Sequence, residues 1–253
     1  MIKFLHLSDL HFHRDPNDNA AAERMFRFVR EKHQDHHLLV TGDITDDGHP
    51  EQYDNAFNAL APWKGRAFIA PGNHDYGAAG NFYGRERARR FDRLCDDLKQ
   101  GGHFAADNEP LVNIVKSGDT QVMLIALDTN LETDHPFDFA CGQVGEKQLR
   151  ALDVLLNGNA ARSYVKILFF HHHPFVHNDP FMEIKDAREL WRTVYGRVDV
   201  MAFGHKHVSD MKVGYGGMRY VLAADNAPGK AMAREITVKG GDVSVVEVSI
   251  EPR

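Results

Sequence analysis

Cysteine is scarce. Cys95 and Cys141 are the only two in 253 residues, far apart and in no metal-type spacing, which excludes a disulfide scaffold. No apolar run reaches the roughly 18 residues of a membrane span, so none is expected. Met1-Ile2-Lys3-Phe4-Leu5-His6 is interrupted at Asp9 too soon for a secretory signal. Positive charge is also short: 30 Lys and Arg against 36 Asp and Glu leave a net charge of −6. That balance argues against a strongly basic nucleic-acid footprint over the whole surface. Internal repeats, low-complexity tracts and linkers are missing as well. The expectation is a single reduced, cytoplasmic, enzyme-sized domain with no membrane partner. Histidine, in contrast, is abundant at 16 residues, and its placement decides the reading.

Short apolar runs alternate with amphipathic stretches, the pattern of helices packed on sheets. Strands are expected at 2–7, 37–40, 66–70, 122–127, 165–170 and 198–203, with helices at 19–32, from Pro50 through Leu60, at 85–99 and at 145–156. The stretches 212–213, 219–223, 235–238 and 243–250 read as antiparallel strands between glycine turns. The segment 76–110 is a candidate insert or cap.

The polar residues cluster directly after the expected strands, at the edge where open α/β sheets bind ligands. Five loops carry Asp9-Leu10-His11, Gly42-Asp43, Gly72-Asn73-His74-Asp75, His171-His172-His173-Pro174 and Gly204-His205-Lys206-His207. Imidazole with carboxylate and no thiolate suits Zn²⁺, Mn²⁺, Fe or Co and is a poor set for Ca²⁺. Seven or more donors exceed the need of one four-coordinate ion and point to two metals.

These loops, in this order, closely resemble the calcineurin-like metallophosphoesterases: D-x-H, G-D, G-N-H-D, a histidine ahead of a proline, and G-H-x-H. The Gly42–Gly48 stretch and the His-His-His-Pro run are most similar to the bacterial class III cyclic-nucleotide phosphodiesterase branch. The resemblance implies an α/β fold with a two-sheet β-sandwich core flanked by helices. It also implies hydrolysis of phosphoric esters by hydroxide bridging two metals, with a small phosphodiester as the favoured substrate. Asp9, His11 and His207 would hold one ion. Asn73, His205 and one of the tandem histidines would hold the other, with Asp43 shared. Family spacing counted back from Pro174 selects His172, with His171 as the second choice. His74 would face the phosphate as charge stabiliser or proton donor. Asp46 would be the acid that pairs with it and raises its pKa. The same core serves phosphomonoesterases and nucleases, and a non-catalytic scaffold of this fold should have lost ligands.

The remaining residues of interest have plainer readings. Asp75 reads as a loop or capping residue. His33, His36, His37, His49 and His103 sit in stretches that look exposed, while His13 and His177 follow the motifs closely enough to line a pocket. Arg85, Arg87, Arg89, Arg90 and Arg93 read as a solvated helical face, or else as part of a cap over the substrate.

Overall fold

The apolar run at the start of the chain forms β1 (Ile2–Leu7). A 3₁₀ turn at Pro16–Asn19 leads into α1 (Ala20–Lys32), which buries Ala22, Met25, Phe26 and Val29 at helical spacing. β2 (His37–Thr41), α2 (Pro50–Leu60) and β3 (Ala67–Ala70) follow, with Pro50 in the first turn of its helix, where its missing N–H costs nothing. Next come the single turn α3 (Asn73–Tyr76), the short strands β4 (Gly77–Ala78) and β5 (Phe82–Tyr83), α4 (Arg85–Asp97) and α5 (Phe104–Asp107). β6 (Leu111–Ser117), β7 (Thr120–Ala126), α6 (Glu146–Asn157), β8 (Val165–Phe169), α7 (Ala187–Val194) and β9 (Val200–Phe203) continue the chain. It closes with β10 (Asp210–Val213), β11 (Tyr220–Ala223), β12 (Met232–Lys239) and β13 (Asp242–Ser249). This computed structural model describes residues 1–78, 80–130, 140–175, 182–227 and 230–251.

The strands make two mixed sheets, ordered β13-β12-β1-β2-β3 and β10-β11-β9-β8-β7-β6. Side chains alternate across a strand, and the second sheet is apolar on both faces. Val122, Leu124 and Ala126 of β7 join the core shared with the first sheet. Met123 and Ile125 turn the other way, into a second core that includes Leu152 of α6 and Leu190 of α7. A sandwich flanked by helices results, as expected. β6 and α7 were not foreseen, and β11 is a correction. It pairs antiparallel with β10 but parallel with β9, because strand direction is set by the partner and not by the strand's own sequence.

Within 76–110, α4 buries Ala88, Phe91, Leu94 and Cys95 in the main core. Two of its arginines are engaged rather than solvated. Arg87 Nε donates to the Asp47 carbonyl at 2.7 Å and Arg90 to the Gly48 carbonyl at 3.0 Å. His36 also departs from expectation: it is buried, only 3% exposed.

β1 and β2 are cross-tied near their ends by His6, fully buried, whose Nε2 lies 3.0 Å from Thr41 Oγ1. The Thr41 hydroxyl donates to the Leu7 carbonyl at 3.3 Å, so it accepts from the His6 Nε2–H. Burial, with the Arg234 charge adding to it, pulls the His6 pKa down to about 3. Between that value and the unfolded value near 6.5, only the unfolded chain takes up the proton, so stability rises with pH across this window. Moving from pH 7 to pH 5 therefore withdraws about 2 kcal/mol through this residue. His6→Gln should remove a loss of that order, measured as urea unfolding of metal-free protein at the two pH values.

Candidate metal centre

Parallel strands of both sheets deliver their carboxyl ends to one edge. Asp9 and His11 follow β1, Asp43 follows β2, Asn73 and His74 open α3 just beyond β3, the tandem histidines follow β8, and His205 and His207 follow β9. The turns are tight and strained. Seven non-glycine residues have left-handed φ among the described residues, and five are Asp9, His11, Asp43, His205 and His207. Such backbone costs on the order of 1–3 kcal/mol per residue and concentrates at functional sites. Two glycines permit the close approach. A Cβ on Gly204 would sit 1.8 Å from Ser8 Oγ, and one on Gly72 would sit 2.2 Å from Asp43 Oδ1.

Two clusters of donor atoms result. Asp9, His11 and His207 offer one set, with the His11 and His207 rings stacked at 5.4 Å and His207 Nε2 4.0 Å from Asp9 Oδ1. The other centres on His171 Nε2, which lies 3.1 Å from each of Asp43 Oδ2, Asn73 Oδ1 and His205 Nδ1. Asp43 Oδ2 is also 3.9 Å from His11 Nε2, so this carboxylate stands between the sets.

The structure brings His171, the second choice, into the second cluster, and buries His172 beside it with its ring 4.5 Å from that of His205. The His171 Nδ1–H donates to the Thr41 carbonyl at 2.8 Å, which leaves Nε2, facing Asp43, as the nitrogen that a metal would take. His172 instead sets Nδ1 2.8 Å from the Thr129 hydroxyl. Strand parity explains the choice. Val165, Ile167 and Phe169 face the inter-sheet core, so position 171 continues on that side, whereas Phe170 belongs to the opposite core.

Asp46 meets His74 through its main chain. The His74 Nδ1–H donates to the Asp46 carbonyl at 2.6 Å, while the carboxylate lies 3.8 Å from His11 Nδ1 and 3.6 Å from His13 Nδ1. Asp75 is buried and ties the two neighbouring loops together, accepting from Thr45 N, Thr45 Oγ1 and Gly72 N. Sequence reasoning missed Asp225, buried with Oδ1 3.6 Å from His207 Nδ1. A carboxylate behind a ligating histidine orients the ring and raises its basicity, but no local motif marks this residue. His177 lies outside the described residues.

The electrostatics call for cations. Burial lifts the Asp9 carboxyl to about 6 and lowers His11 to about 4. Burial also pushes His205 well below its ordinary range. It opposes charge on His171 too, yet Asp43 foremost and then Asp9 outweigh it and hold the ring up to about 9. Asp9 Oδ2, both His11 nitrogens, His172 Nε2 and His205 Nε2 are buried without a hydrogen-bond partner. Lone-pair atoms about 3.3 Å apart match the edge of a tetrahedron around an ion with bonds of about 2.0–2.1 Å. The donors therefore fit a pair of transition-metal ions.

Residues 2–209 match the model of the calcineurin-like phosphoesterase family. The chain belongs to this family. The phosphoesterase is 24% identical over 231 residues to the 3',5'-cyclic adenosine monophosphate phosphodiesterase CpdA of Vibrio vulnificus (strain CMCP6), covering 86% of this chain and 74% of that protein. It is 22% identical over 223 residues to the CpdA of Haemophilus influenzae, covering 82% and 70%. In fold it is similar to a dimetal phosphatase from Danio rerio, with a TM-score of 0.70, 14% identity and 98% and 96% of the two chains covered. The phosphopantetheinyl hydrolase of Mycobacterium tuberculosis is similar at a TM-score of 0.55, 13% identity and 88% and 89% coverage. Among the phosphoesterase's described residues, no helix is long and apolar enough to cross a membrane.

His171→Ala should lower bound metal from two ions per chain toward one, whereas His172→Ala should keep two, as read by elemental analysis after dialysis. Asp225→Asn should weaken metal binding about 10- to 100-fold, the usual cost of losing an outer carboxylate. Competition with a chromogenic chelator would show it.

Proposed function

We propose that the protein hydrolyses a small phosphodiester, with a cyclic nucleotide the leading candidate, using two metal ions. Asp9, His11 and His207 hold one, Asn73, His171 and His205 hold the other, and Asp43 is shared. The observation that carries the reading is the convergence of Asp43, Asn73 and His205 on His171 Nε2, each at 3.1 Å. When bound, such ions supply Lewis-acid charge to phosphoryl oxygens and acidify water into a nucleophile.

The chain's own residues do the rest. The Asp46 carbonyl accepts from the His74 Nδ1–H, which leaves Nε2 as the ring nitrogen available for proton transfer to the leaving oxygen. The His74 main-chain N–H donates to Asp43 Oδ1 at 2.9 Å, so the acid and the shared ligand move as one unit. The cap reading of the 76–110 segment is supported by Gly80, which accepts from Asn73 Nδ2 at 2.9 Å.

Two observations favour a diester. The named homologues of known activity are cyclic adenosine monophosphate phosphodiesterases. A dianionic monoester calls for an added cation beside the metals, and the nearby Arg87 and Arg90 are committed to main-chain carbonyls. The net charge of −6 counts against a nuclease with a long basic groove.

The test compares bis(p-nitrophenyl) phosphate, p-nitrophenyl phosphate and 3',5'-cyclic AMP on protein reconstituted with Mn²⁺. Faster cleavage of the diesters is expected, and a monoester preference would replace this reading with a phosphatase. His74→Ala should cut kcat about 10²- to 10⁴-fold while two metals stay bound. Loss of metal instead would make His74 a ligand.

A further inference from the structure

A second cluster of imidazole and carboxylate lies away from the strand-end loops. His33 follows α1, His36 precedes β2, and Glu235 lies on β12. One ligand atom from each falls within 4.8 Å of the other two. His36 is 3% exposed, and the Glu235 side chain 13%. The two histidine rings meet edge to face, 5.0 Å between centroids.

Each histidine is oriented from behind. His36 Nδ1 lies 2.8 Å from Asp35 Oδ1, and His36 Nε2 lies 2.6 Å from Glu235 Oε2. His33 Nε2 faces the Ser249 carbonyl at 3.1 Å. A carbonyl only accepts, so the proton of His33 sits on Nε2 and its Nδ1 keeps a lone pair. His33 carries the signature of a ligating histidine, one ring N–H on a carbonyl and the other nitrogen open to a metal, whereas His36 is held by Asp35 on one ring nitrogen and by Glu235 on the other.

We propose that His33, His36 and Glu235 form a separate Zn²⁺ site that clamps the end of α1 to β2 and β12. Imidazole with carboxylate is a zinc donor set, and three protein ligands leave one position for water. The ion replaces the hydrogen bond between His36 and Glu235. Those atoms part from 2.6 Å to about 3.3 Å, the spacing of two ligands on a tetrahedral ion. The charged neighbours on each packed element allow this. Lys3 of β1 reaches both Glu235 oxygens, at 3.2 and 3.3 Å, and keeps Oε1 when the metal takes Oε2. Thr237 Oγ1 donates to that same Oε1 at 3.1 Å. Arg66 is turned away onto the carbonyls of Gln34 and His36, and Asp35 balances the added charge. The site is independent of the hydrolytic reading and contributes no group to it.

The test counts zinc by equilibrium dialysis of the full chain against Zn²⁺. Wild type should bind one ion more than His33→Ala, with turnover of the chromogenic diester equal within about twofold. Equal counts would overturn the proposal. A second arm uses Asp9→Asn/Asp43→Asn protein, in which the strand-end centre is disabled. There one zinc should remain, and at 100-fold excess over Kd it should raise Tm by several degrees. Absence of both zinc and the Tm shift in that folded protein would also overturn it.

Discussion

Lone-pair atoms buried against one another repel unless positive charge stands among them, and this protein gathers them on purpose at the meeting edge of its two sheets. Asp43 Oδ2, Asn73 Oδ1 and His205 Nδ1 all face His171 Nε2 at hydrogen-bond distance. In the free chain a proton on His171 supplies the charge, drawn there by Asp43 against the opposing effect of burial. A metal ion satisfies the same demand with more charge and more bonds. The left-handed turns at Asp9, His11, Asp43, His205 and His207 and the bare glycines at 72 and 204 are what the fold accepts to hold these atoms together.

The supporting structure follows from that demand. Asp75 bonds the Gly42–Thr45 loop to the Gly72 turn, which fixes the shared carboxylate relative to Asn73 and His74. Thr41 links the site to the interior of the first sheet. Its carbonyl accepts from His171, and its hydroxyl accepts from His6. Arg87 and Arg90 fasten α4 to the loop that follows Asp43. The helix beside the centre thus acts as a brace for its loops, with its apolar face in the core.

The His33, His36 and Glu235 cluster follows a different logic. At the strand ends, several donors lack any partner. At the second cluster, His36 is bonded on both nitrogens and Lys3 already neutralises part of the carboxylate charge. The strand-end centre is built around a missing cation, whereas the second site exchanges a hydrogen bond for one.

Much was legible in the sequence by itself. Strand and helix order follows from apolar periodicity, and the donors are recognisable because each loop places its Asp, Asn or His within a few residues of a strand end. Those are short-range facts, set by side-chain alternation and turn chemistry. The inward parity of Val165, Ile167 and Phe169 is likewise a short-range pattern, and it continues to His171. Tertiary structure alone decided the rest. Asp225 stands behind His207 and Glu235 beside His36 because the chain leaves β11 in the second sheet and enters β12 in the first, and no local pattern encodes a contact across that distance. Asp46 reaches His74 with its carbonyl and not its carboxylate because backbone direction in a turn depends on the loops packed around it. A sequence specifies which donors exist and near which strand ends; only the packing of one sheet against the other specifies which atoms face each other.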